Sequence, residues 1–211
     1  MRVIAGTFRS RRLQTLRGLA LRPSSDRLRG SLFNILGSAV EGSVFVDLFA
    51  GSGAVGIEAL SRGARQVVFV ENYPAGAALV RRNLESLGIS VSRAMSHAAG
   101  ATSAAHSGAV TAFPCAAELL TLDADAAIAR LIARRIRPDF VFADPPYADS
   151  EAYESVLELL GEGKILAKDG RVIFEHSRRR VLPPVVGQLE RTRVVEQGDA
   201  ALSFYHPVLA A

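Results

Sequence analysis

The sequence predicts an α/β fold with a mostly parallel β-sheet, and three observations lead to this prediction. Short, wholly apolar runs recur along the chain, as at residues 67–70 and 140–143, which is typical of parallel strands buried on both faces. Stretches with helical periodicity separate these runs and indicate right-handed βαβ units. A glycine-rich turn follows the first apolar run, between Val44 and Gly56, and lets the backbone approach a ligand closely.

Length and composition favour one domain with a small extension. The 211 residues, 49% of them hydrophobic, can bury a sizeable core. No apolar run reaches about 18 residues, and Arg9, Arg11, Arg12 and Arg17 interrupt any apolar region near the N-terminus. We therefore expect no membrane span, no secretory signal and a cytoplasmic location.

Cysteine and histidine usage argues against a metal site. The single cysteine, Cys115, rules out an internal disulfide and a cysteine-based metal centre, and the four histidines lack ligand spacing. The sequence therefore predicts no metal.

The first 40 residues are strongly basic. They hold eight arginines against the single acidic residue Asp26, a net charge of +7, whereas the rest of the chain sums to −3. Such one-sided charge predicts binding to a phosphate backbone, with a solvated arm as the alternative. The candidate nucleic-acid contacts are Arg2, Arg9, Arg11, Arg12, Arg22, Arg27 and Arg29.

Two elements are predicted in this N-terminal extension, residues 1–40. Residues 2–14 alternate loosely between apolar and polar side chains around Gly6, as expected of a short basic β-hairpin. Residues 22–37 predict a helix that is capped by Ser24, Ser25 or Asp26 and ends at Gly37. Residues 41–211 then form the main domain.

The first half of the main domain contains two predicted βα units. A strand at residues 44–48 and a helix at 54–62 flank the glycine-rich turn. The second strand, residues 67–70, ends at Glu71, and Pro74 suits the first position of a helix that closes at Gly88. Residues 89–109 are small, polar and aperiodic, and we interpret them as a mobile insertion.

The second half continues the alternation and ends in a hairpin. A strand is expected at 110–113, then a helix capped by Asp123 or Asp125 that extends to Ile136. Further strands are predicted at 140–143 and 172–174, with a helix around 153–160 between them. Residues 191–196 and 201–206 predict an antiparallel pair. For Arg178, Arg179 and Arg180, a solvated turn is favoured over a phosphate contact.

The glycine-rich turn allows two ligand hypotheses. Gly51, Gly53 and Gly56 spell G-x-G-x-x-G, and Glu71 follows about 20 residues on, which suits a dinucleotide. However, Asp47 at the strand end would repel a pyrophosphate. S-adenosylmethionine carries an ammonium and a sulfonium instead, so Asp47 would attract it and Glu71 could accept hydrogen bonds from both ribose hydroxyls. A tight turn without any ligand is the third alternative.

A second motif, Asp144-Pro145-Pro146-Tyr147, follows the predicted strand at 140–143. Ligand sites of open parallel sheets lie beyond the carboxyl ends of strands, so Asp144 should face the same crevice as the glycine-rich turn. The Asp144 carboxylate and the Pro145 carbonyl can accept both hydrogens of an exocyclic base amine and localise its lone pair for methyl transfer. The prolines stiffen the backbone, and Tyr147 offers a ring for an unstacked base. The alternative is a plain turn that ends the strand.

Together these motifs resemble class I S-adenosylmethionine-dependent methyltransferases, and more closely the RsmD family of bacterial 16S rRNA guanine-N2 methyltransferases. The resemblance covers most of the chain and is carried by R-V-I-A-G-T-F-R-S-R-R-L, R-P-S-S-D-R-L-R-G-S-L-F-N, V-D-L-F-A-G-S-G-A-V-G-I-E-A-L-S-R-G-A, F-V-E-N and F-A-D-P-P-Y. It implies a Rossmann-like fold with a seven-stranded, mostly parallel sheet, a C-terminal antiparallel hairpin, and a small basic N-terminal hairpin plus helix.

The resemblance also assigns roles. Asp47, Gly51 and Gly53 would hold the methionine part of the cofactor, Glu71 its ribose, and residues 144–147 the target guanine. The arginines of the extension would hold RNA, either small-subunit RNA or the assembled 30S particle, and the protein is expected to be monomeric. The full set of candidate cofactor contacts is Asp47, Phe49, Ala50, Gly51, Ser52, Gly53, Glu71, Asn72, Cys115 and Ala116.

Three features depart from the family pattern. Gly30 stands where the family usually has Glu, Cys115 stands where a polar residue usually meets the adenine, and residues 89–109 are longer than usual. The first bears on the organisation of the pocket and the second on the adenine contact.

The sequence also suggests other functions. The Pro114-Cys115 pair resembles the nucleophile of cytosine-C5 methyltransferases, but it comes one strand too early and N-methylation needs no covalent intermediate. A DNA adenine-N6 methyltransferase would use the same acceptor geometry, although it commonly needs a separate target-recognition region. A non-catalytic RNA-binding assembly factor on the same fold is the remaining alternative.

Overall fold

The computed structural model describes residues 1–15, 26–92 and 116–208, which form a nine-stranded sheet with helices on both faces. The helices are α1 Asp26–Leu36, α2 Ala54–Ser61, α3 Pro74–Ser86, α4 Ala124–Ala133 and α5 Ser150–Gly161, and a short 3₁₀ turn, Gly37–Val40, follows α1. The strands are β1 Val44–Asp47, β2 Gln66–Val70, β3 Val91–Ser92, β4 Ala116–Leu120, β5 Phe140–Ala143, β6 Arg171–Ser177, β7 Val185–Val186, β8 Leu189–Gln197 and β9 Ala200–Pro207. No helix in the described ranges is long and apolar enough to cross a membrane.

The strand order is β3-β4-β2-β1-β5-β6-β9-β8-β7. The first six strands in this order run parallel, whereas β9, β8 and β7 pair antiparallel, so the expected C-terminal hairpin is confirmed. The chain moves outward from β1 to β2, and later returns to place β5 on the other side of β1. This reversal of strand order creates a crevice beyond the carboxyl ends of β1 and β5, which is where open α/β sheets bind ligands.

The sheet has nine strands, so the prediction of seven was wrong. The two edge strands β3 and β7 contain only two residues each. Ser92 in β3 falls inside the expected insertion and donates its hydroxyl to the Ala117 carbonyl at 3.1 Å. Strands this short carry no recognisable alternation, so only the pairing itself reveals them.

The strand expected at 110–113 lies outside the described residues. In this part of the chain the structure forms β4 at Ala116–Leu120, which pairs in parallel with β2. Its middle residue, Glu118, is fully buried and accepts a hydrogen bond from Arg134 at 2.7 Å. A buried charge inside an otherwise apolar run breaks the expected strand pattern, which explains why the sequence did not predict β4.

Successive residues of the strands point to opposite faces of the sheet and pack into two separate hydrophobic layers. Phe45 faces α1, α2 and α3, where its ring stacks on Phe33 with centroids 6.0 Å apart. The next residue, Val46, faces α4 and α5 together with Leu131 and Leu157. The sheet is therefore covered on both faces, as its all-apolar strands predicted.

The N-terminal segment, residues 1–15, is docked on the C-terminal half of α2. Glu58 accepts hydrogen bonds from the backbone N–H groups of Ile4 and Ala5 at 2.8 and 3.0 Å. Gly6 has φ +79°, and a Cβ there would lie 1.7 Å from the Ser61 carbonyl oxygen, so only glycine fits. A single antiparallel bridge, Arg2 to Arg12, takes the place of the expected hairpin strands.

Candidate active site

Three acidic residues follow the carboxyl ends of neighbouring parallel strands. Asp47 is the last residue of β1 and pairs in register with Phe69 of β2 and Phe142 of β5. Glu71 and Asp144 each come two residues after these partners. Because the three strands are parallel and in register, all three carboxyl groups lie at the same edge of the sheet.

The glycine-rich turn crosses this edge between β1 and α2, and its glycines serve different purposes. Gly51 has φ +55°, and a Cβ there would meet nothing within 4 Å, so the turn faces open space at this point. Gly53, with φ +79°, packs near Val80. A Cβ on Gly56 would lie 2.3 Å from the ring of Phe69, so this glycine is needed for close packing of α2 on β2. Of these three glycines, only Gly51 therefore has open space on its Cβ side.

Asp47 is almost completely buried, with 1% of its surface exposed. Its Oδ2 accepts a hydrogen bond from the Gly56 backbone N–H at 3.0 Å. The pKa of Asp47 is raised to about 7, mainly by burial. The Gly56 hydrogen bond opposes this rise, and the charges of Glu71 and Glu175 contribute to it. A positive charge bound nearby would therefore stabilise the ionised carboxylate.

Glu71 is held in a fixed orientation at the end of β2. Its Oε2 accepts from the Gly51 N–H at 2.7 Å, and its Oε1 accepts from the Tyr73 N–H at 2.8 Å. Gly76 in α3 packs directly against the carboxyl group. Since each carboxylate oxygen keeps lone-pair capacity, Glu71 can still accept from ligand hydroxyls.

Asn83 ties the N-terminal segment to the glycine-rich turn, a role that sequence analysis missed. This fully buried side chain donates to the Ser52 carbonyl at 2.8 Å and to the Gln14 carbonyl at 3.1 Å. Its Oδ1 accepts from the Gln14 N–H at 2.8 Å. The available signal was an asparagine beside Val80 and Leu84 on the apolar face of a helix.

The remaining candidate cofactor contacts differ in position. Phe49 is partly buried, Ala50 is buried, and Asn72 is exposed next to Glu71. The prediction for Ala116 was wrong, because Ala116 begins β4 and pairs with Gln66 at the amino edge of the sheet, opposite the crevice. Cys115 lies outside the described residues. The residues that follow β4 at the crevice edge are Thr121, Leu122 and Asp123.

The motif at 144–147 continues directly from β5. Asp144 is partly buried, Pro145 is buried, and Pro146 and Tyr147 are exposed. The Pro145 carbonyl accepts from the hydroxyl of the buried Tyr153 at 3.0 Å, and that hydroxyl also lies 3.1 Å from the Glu175 carbonyl. The second lone pair of the Pro145 carbonyl stays available to a substrate amine.

Arg180 also contacts residues 144–147, although the sequence analysis favoured a solvated turn for Arg178, Arg179 and Arg180. Its guanidinium lies 4.2 Å from the ring centroid of Tyr153 and donates to the Tyr147 carbonyl at 3.0 Å. It also donates to the Ser150 hydroxyl at 3.1 Å. Tyr153 and Arg180 thus position residues 144–147 from both sides, a result of folding that the local sequence does not indicate.

The arginines of the N-terminal extension are mostly exposed, as in Arg2, Arg9, Arg12 and Arg27. Arg11 is exposed as well and donates to the Ser86 carbonyl at 2.8 Å. Arg22 lies outside the described residues.

The assignment of Arg29 to nucleic-acid binding was wrong. Only 1% of its surface is exposed, and its guanidinium donates to the Arg2 carbonyl at 2.6 Å and to Asp26 at 3.0 Å. It also lies 3.9 Å from the buried carboxylate of Glu58. Arg29 therefore joins α1 to the N-terminal segment and cannot reach a phosphate.

Among the described residues, no cluster of three His, Cys, Asp or Glu side chains is placed to hold a metal ion.

Comparison with known proteins places these features in a family. The sequence profile of the family described as conserved hypothetical protein 95 matches residues 1–114 and 108–206. The chain is 32% identical over 205 residues to YlbH of Bacillus subtilis, which is provisionally named an rRNA methyltransferase; the match covers 97% of this chain and 98% of YlbH. It is 29% identical over 206 residues to ribosomal RNA small subunit methyltransferase D of Escherichia coli K12, covering 97% and 89% of the two chains.

A solved structure agrees with these sequence matches. The Escherichia coli protein yhhF, provisionally named a methyltransferase, superposes with a TM-score of 0.74 at 28% identity, and the match covers 98% of this chain and 97% of that one.

Proposed function

The chain belongs to the family described as conserved hypothetical protein 95, and we propose that it methylates the exocyclic N2 amine of a guanine in small-subunit ribosomal RNA. Of the relatives named above, one is named a ribosomal RNA small subunit methyltransferase and YlbH is provisionally named an rRNA methyltransferase. The protein is accordingly an S-adenosylmethionine-dependent rRNA methyltransferase with a Rossmann-like class I fold. One observation carries the proposal most strongly, namely that Asp144 shares a sheet edge with Asp47 and Glu71.

The residues at this edge fit the cofactor. The backbone at Gly51 faces open space, and Glu71 offers acceptor oxygens for the two ribose hydroxyls. The buried Asp47 favours a positively charged amino-acid end. When bound, S-adenosylmethionine supplies an electrophilic methyl group on a sulfonium. After the correction of Ala116, we propose that Leu122 and Asp123, which follow β4 at this edge, contact the adenine.

The chain's own residues prepare the amine. The lone pair of an exocyclic amine is delocalised into the base, so it must be localised before it can attack. Asp144 and the Pro145 carbonyl would accept the two amine hydrogens, while the Tyr153 hydroxyl keeps that carbonyl in place. The exposed ring of Tyr147 would support the unstacked base.

We also propose that the exposed arginines of residues 1–40 supply affinity for RNA phosphates. The docking of residues 1–15 on α2 supports this role, because it fixes the backbone that carries these arginines on the methyltransferase domain. A small-subunit substrate further implies that the protein acts in the cytoplasm.

Substrate identity tests the proposal directly. The purified protein and labelled cofactor are incubated separately with naked small-subunit RNA, assembled small subunits, large subunits and duplex DNA. The modified nucleoside is then identified after digestion. We expect N2-methylguanosine in small-subunit RNA, with the assembled particle as the better substrate. Methyladenine in DNA would assign the protein to the DNA adenine-N6 class, and cofactor binding without any methyl transfer would indicate a non-catalytic assembly factor.

Cofactor choice is tested separately by calorimetry. S-adenosylmethionine or its demethylated product should give binding heat, whereas NAD should not, because Asp47 lies ahead of the glycine-rich turn. Heat from NAD alone would contradict the assignment.

A further inference from the structure

We propose that Arg178 and Arg179, in the turn that follows β6, form a second binding site for RNA phosphates. This site lies beside residues 144–147, which are called the catalytic loop below. This inference rests on the proposed function, since it concerns the same RNA substrate. The Arg178/Arg179 site lies apart from the basic N-terminal extension. It would hold a different part of the RNA, namely the backbone next to the target nucleotide.

The position of the turn follows from the register of the sheet. Strand β6 runs parallel to β5, with Ala143 opposite Phe174. Asp144 therefore lies level with the residue after Phe174, and β6 continues beyond it to Ser177. The turn that begins after Ser177 projects past the same edge from which Asp144 emerges.

The turn has a defined backbone. The Arg178 N–H donates to the Asp199 carbonyl at 2.8 Å, and the Arg180 N–H donates to the Ser177 carbonyl at 2.8 Å. The Arg179 N–H donates to the Ser177 hydroxyl at 3.3 Å. These bonds fix the backbone of the turn, so only the arginine side chains have to become ordered when a phosphate binds.

The three guanidinium groups are divided between two tasks. Arg180 turns inward, where it covers the Tyr153 ring and donates to the Tyr147 carbonyl. Arg178 and Arg179 are exposed, and within the ranges that the structure describes neither forms an ion pair with an acidic side chain. Exposed arginines without an acidic partner suit phosphate oxygens, which a guanidinium binds in a bidentate manner.

The catalytic loop lies between this turn and the basic N-terminal segment. Residues 1–15 dock on α2, which packs on β1 and β2, whereas the turn follows β6 on the far side of β5. A base that reaches Asp144 must leave its stack, and contacts to the backbone on both sides of that nucleotide offset part of the unstacking cost. RNA held at both places would present a single nucleotide to residues 144–147.

The double variant Arg178→Ala/Arg179→Ala tests the site in the full-length protein with assembled small subunits as substrate. We expect KM for the subunits to rise about tenfold or more and the dependence of log KM on log salt to become shallower by roughly 1.4 to 1.8, since two phosphate contacts are lost. Values of kcat should stay within about twofold, because neither residue touches the reacting atoms. Cofactor affinity by calorimetry should be unchanged, which also establishes that the variant is folded.

Two further variants sharpen the test. Arg178→Lys/Arg179→Lys should restore most of the lost affinity, because lysine keeps a charge for phosphate. Arg130→Ala/Lys168→Ala removes the same charge from exposed positions near the amino edge of the sheet and should leave KM and its salt dependence unchanged. Equal KM values and salt slopes for the Arg178/Arg179 variant and this control would overturn the proposal.

The failure of this inference can be separated from failure of the proposed function. If the wild-type protein methylates no ribosomal RNA, the proposed function is wrong. The salt dependence of direct small-subunit RNA binding by the same variants then decides whether a phosphate site exists. If wild type methylates the subunit but the Arg178/Arg179 variant behaves like wild type, only the second phosphate site is refuted.

Discussion

At the scale of single residues, Asp47 is a buried carboxyl group whose ionisation the surrounding protein opposes. Burial raises its pKa from 3.8 to about 7, and Glu71 and Glu175 add to the effect. The folded protein therefore binds one more proton than the unfolded chain between about pH 4 and pH 7. The stabilisation that this proton provides is fully present below about pH 4 and is lost as the pH rises through 7.

Asp47→Asn should remove this pH dependence, because asparagine keeps an acceptor for the Gly56 N–H but does not titrate. Without cofactor, wild type should lose stability relative to the variant by up to about 1.4 kcal/mol per pH unit between about pH 5 and pH 7. Urea unfolding of both proteins across that range measures the difference. If the difference in unfolding free energy between wild type and Asp47→Asn did not change with pH in this range, Asp47 would have an ordinary pKa.

Asp144 is the residue on which the proposed chemistry depends most. Asp144→Ala should lower methyl transfer about 100- to 1000-fold, since one acceptor of the amine is lost in the transition state. Cofactor affinity should change only a few-fold. Asp144→Asn is the matched control, because it keeps one acceptor oxygen and should lose less activity. If Asp144→Ala retains more than about a tenth of the wild-type rate in a labelled-methyl assay, the acceptor mechanism is wrong.

At the scale of elements, two residues of α3, Gly76 and Asn83, contact the residues of the proposed cofactor site. Gly76 packs against the Glu71 carboxyl group, and Asn83 connects the glycine-rich turn to the N-terminal segment. Changes in this helix should therefore reach the cofactor site indirectly.

Gly76→Ala places a Cβ 2.8 Å from Cδ of Glu71, so the carboxylate must move away from the Gly51 and Tyr73 N–H groups. We expect cofactor affinity by calorimetry to fall about tenfold, the equivalent of roughly 1.4 kcal/mol. Gly30→Ala is the control, because its Cβ would meet only Ile4 Cδ1 at 4.0 Å. That variant should keep its cofactor affinity and gain about 0.5 to 1 kcal/mol of stability. Normal cofactor binding by Gly76→Ala would show that Glu71 needs no fixed orientation.

Asn83→Ala should destabilise the protein by about 2 to 4 kcal/mol, because it removes three hydrogen bonds and leaves the Ser52 carbonyl without this donor. Hydrogen exchange at the Gln14 amide should accelerate at the same time. Ser86→Ala, on the exposed side of the same helix, serves as the comparison and should change neither quantity by much. If the Gln14 amide of Asn83→Ala exchanged hydrogen as slowly as in wild type, Asn83 would not link the N-terminal segment to the glycine-rich turn.

At the scale of the whole molecule, the edges of the sheet favour a monomer. In the described part of the chain, β7 pairs only with Leu189 and Glu190, so residues 192–197 of β8 form an open edge. This edge carries Arg193 and Glu196, and charged side chains on an edge strand oppose pairing with another chain. Sedimentation equilibrium should therefore give a mass near 22.5 kDa. A stable dimer at micromolar concentration would contradict this prediction.

Several features of this protein can be predicted from local sequence patterns alone. Strand β5 and the start of α3 at Pro74 follow the predicted bounds, because a buried parallel strand needs an apolar run and a helix tolerates proline in its first turn. The shared edge of Asp47, Glu71 and Asp144 could also be predicted, since each follows a strand of one parallel sheet.

The contacts between segments that are distant in sequence could not be predicted in this way. Glu118 interrupts the apolar pattern of β4, and it can be buried there because Arg134, 16 residues away in sequence, forms an ion pair with it. Arg29 is buried because it contacts the N-terminal segment. Likewise, Arg180 positions residues 144–147 by a hydrogen bond to the Tyr147 carbonyl, 33 residues away in sequence. These pairings depend on burial and on hydrogen bonds between segments, which become favourable only when the whole chain has folded, so no local pattern carries them.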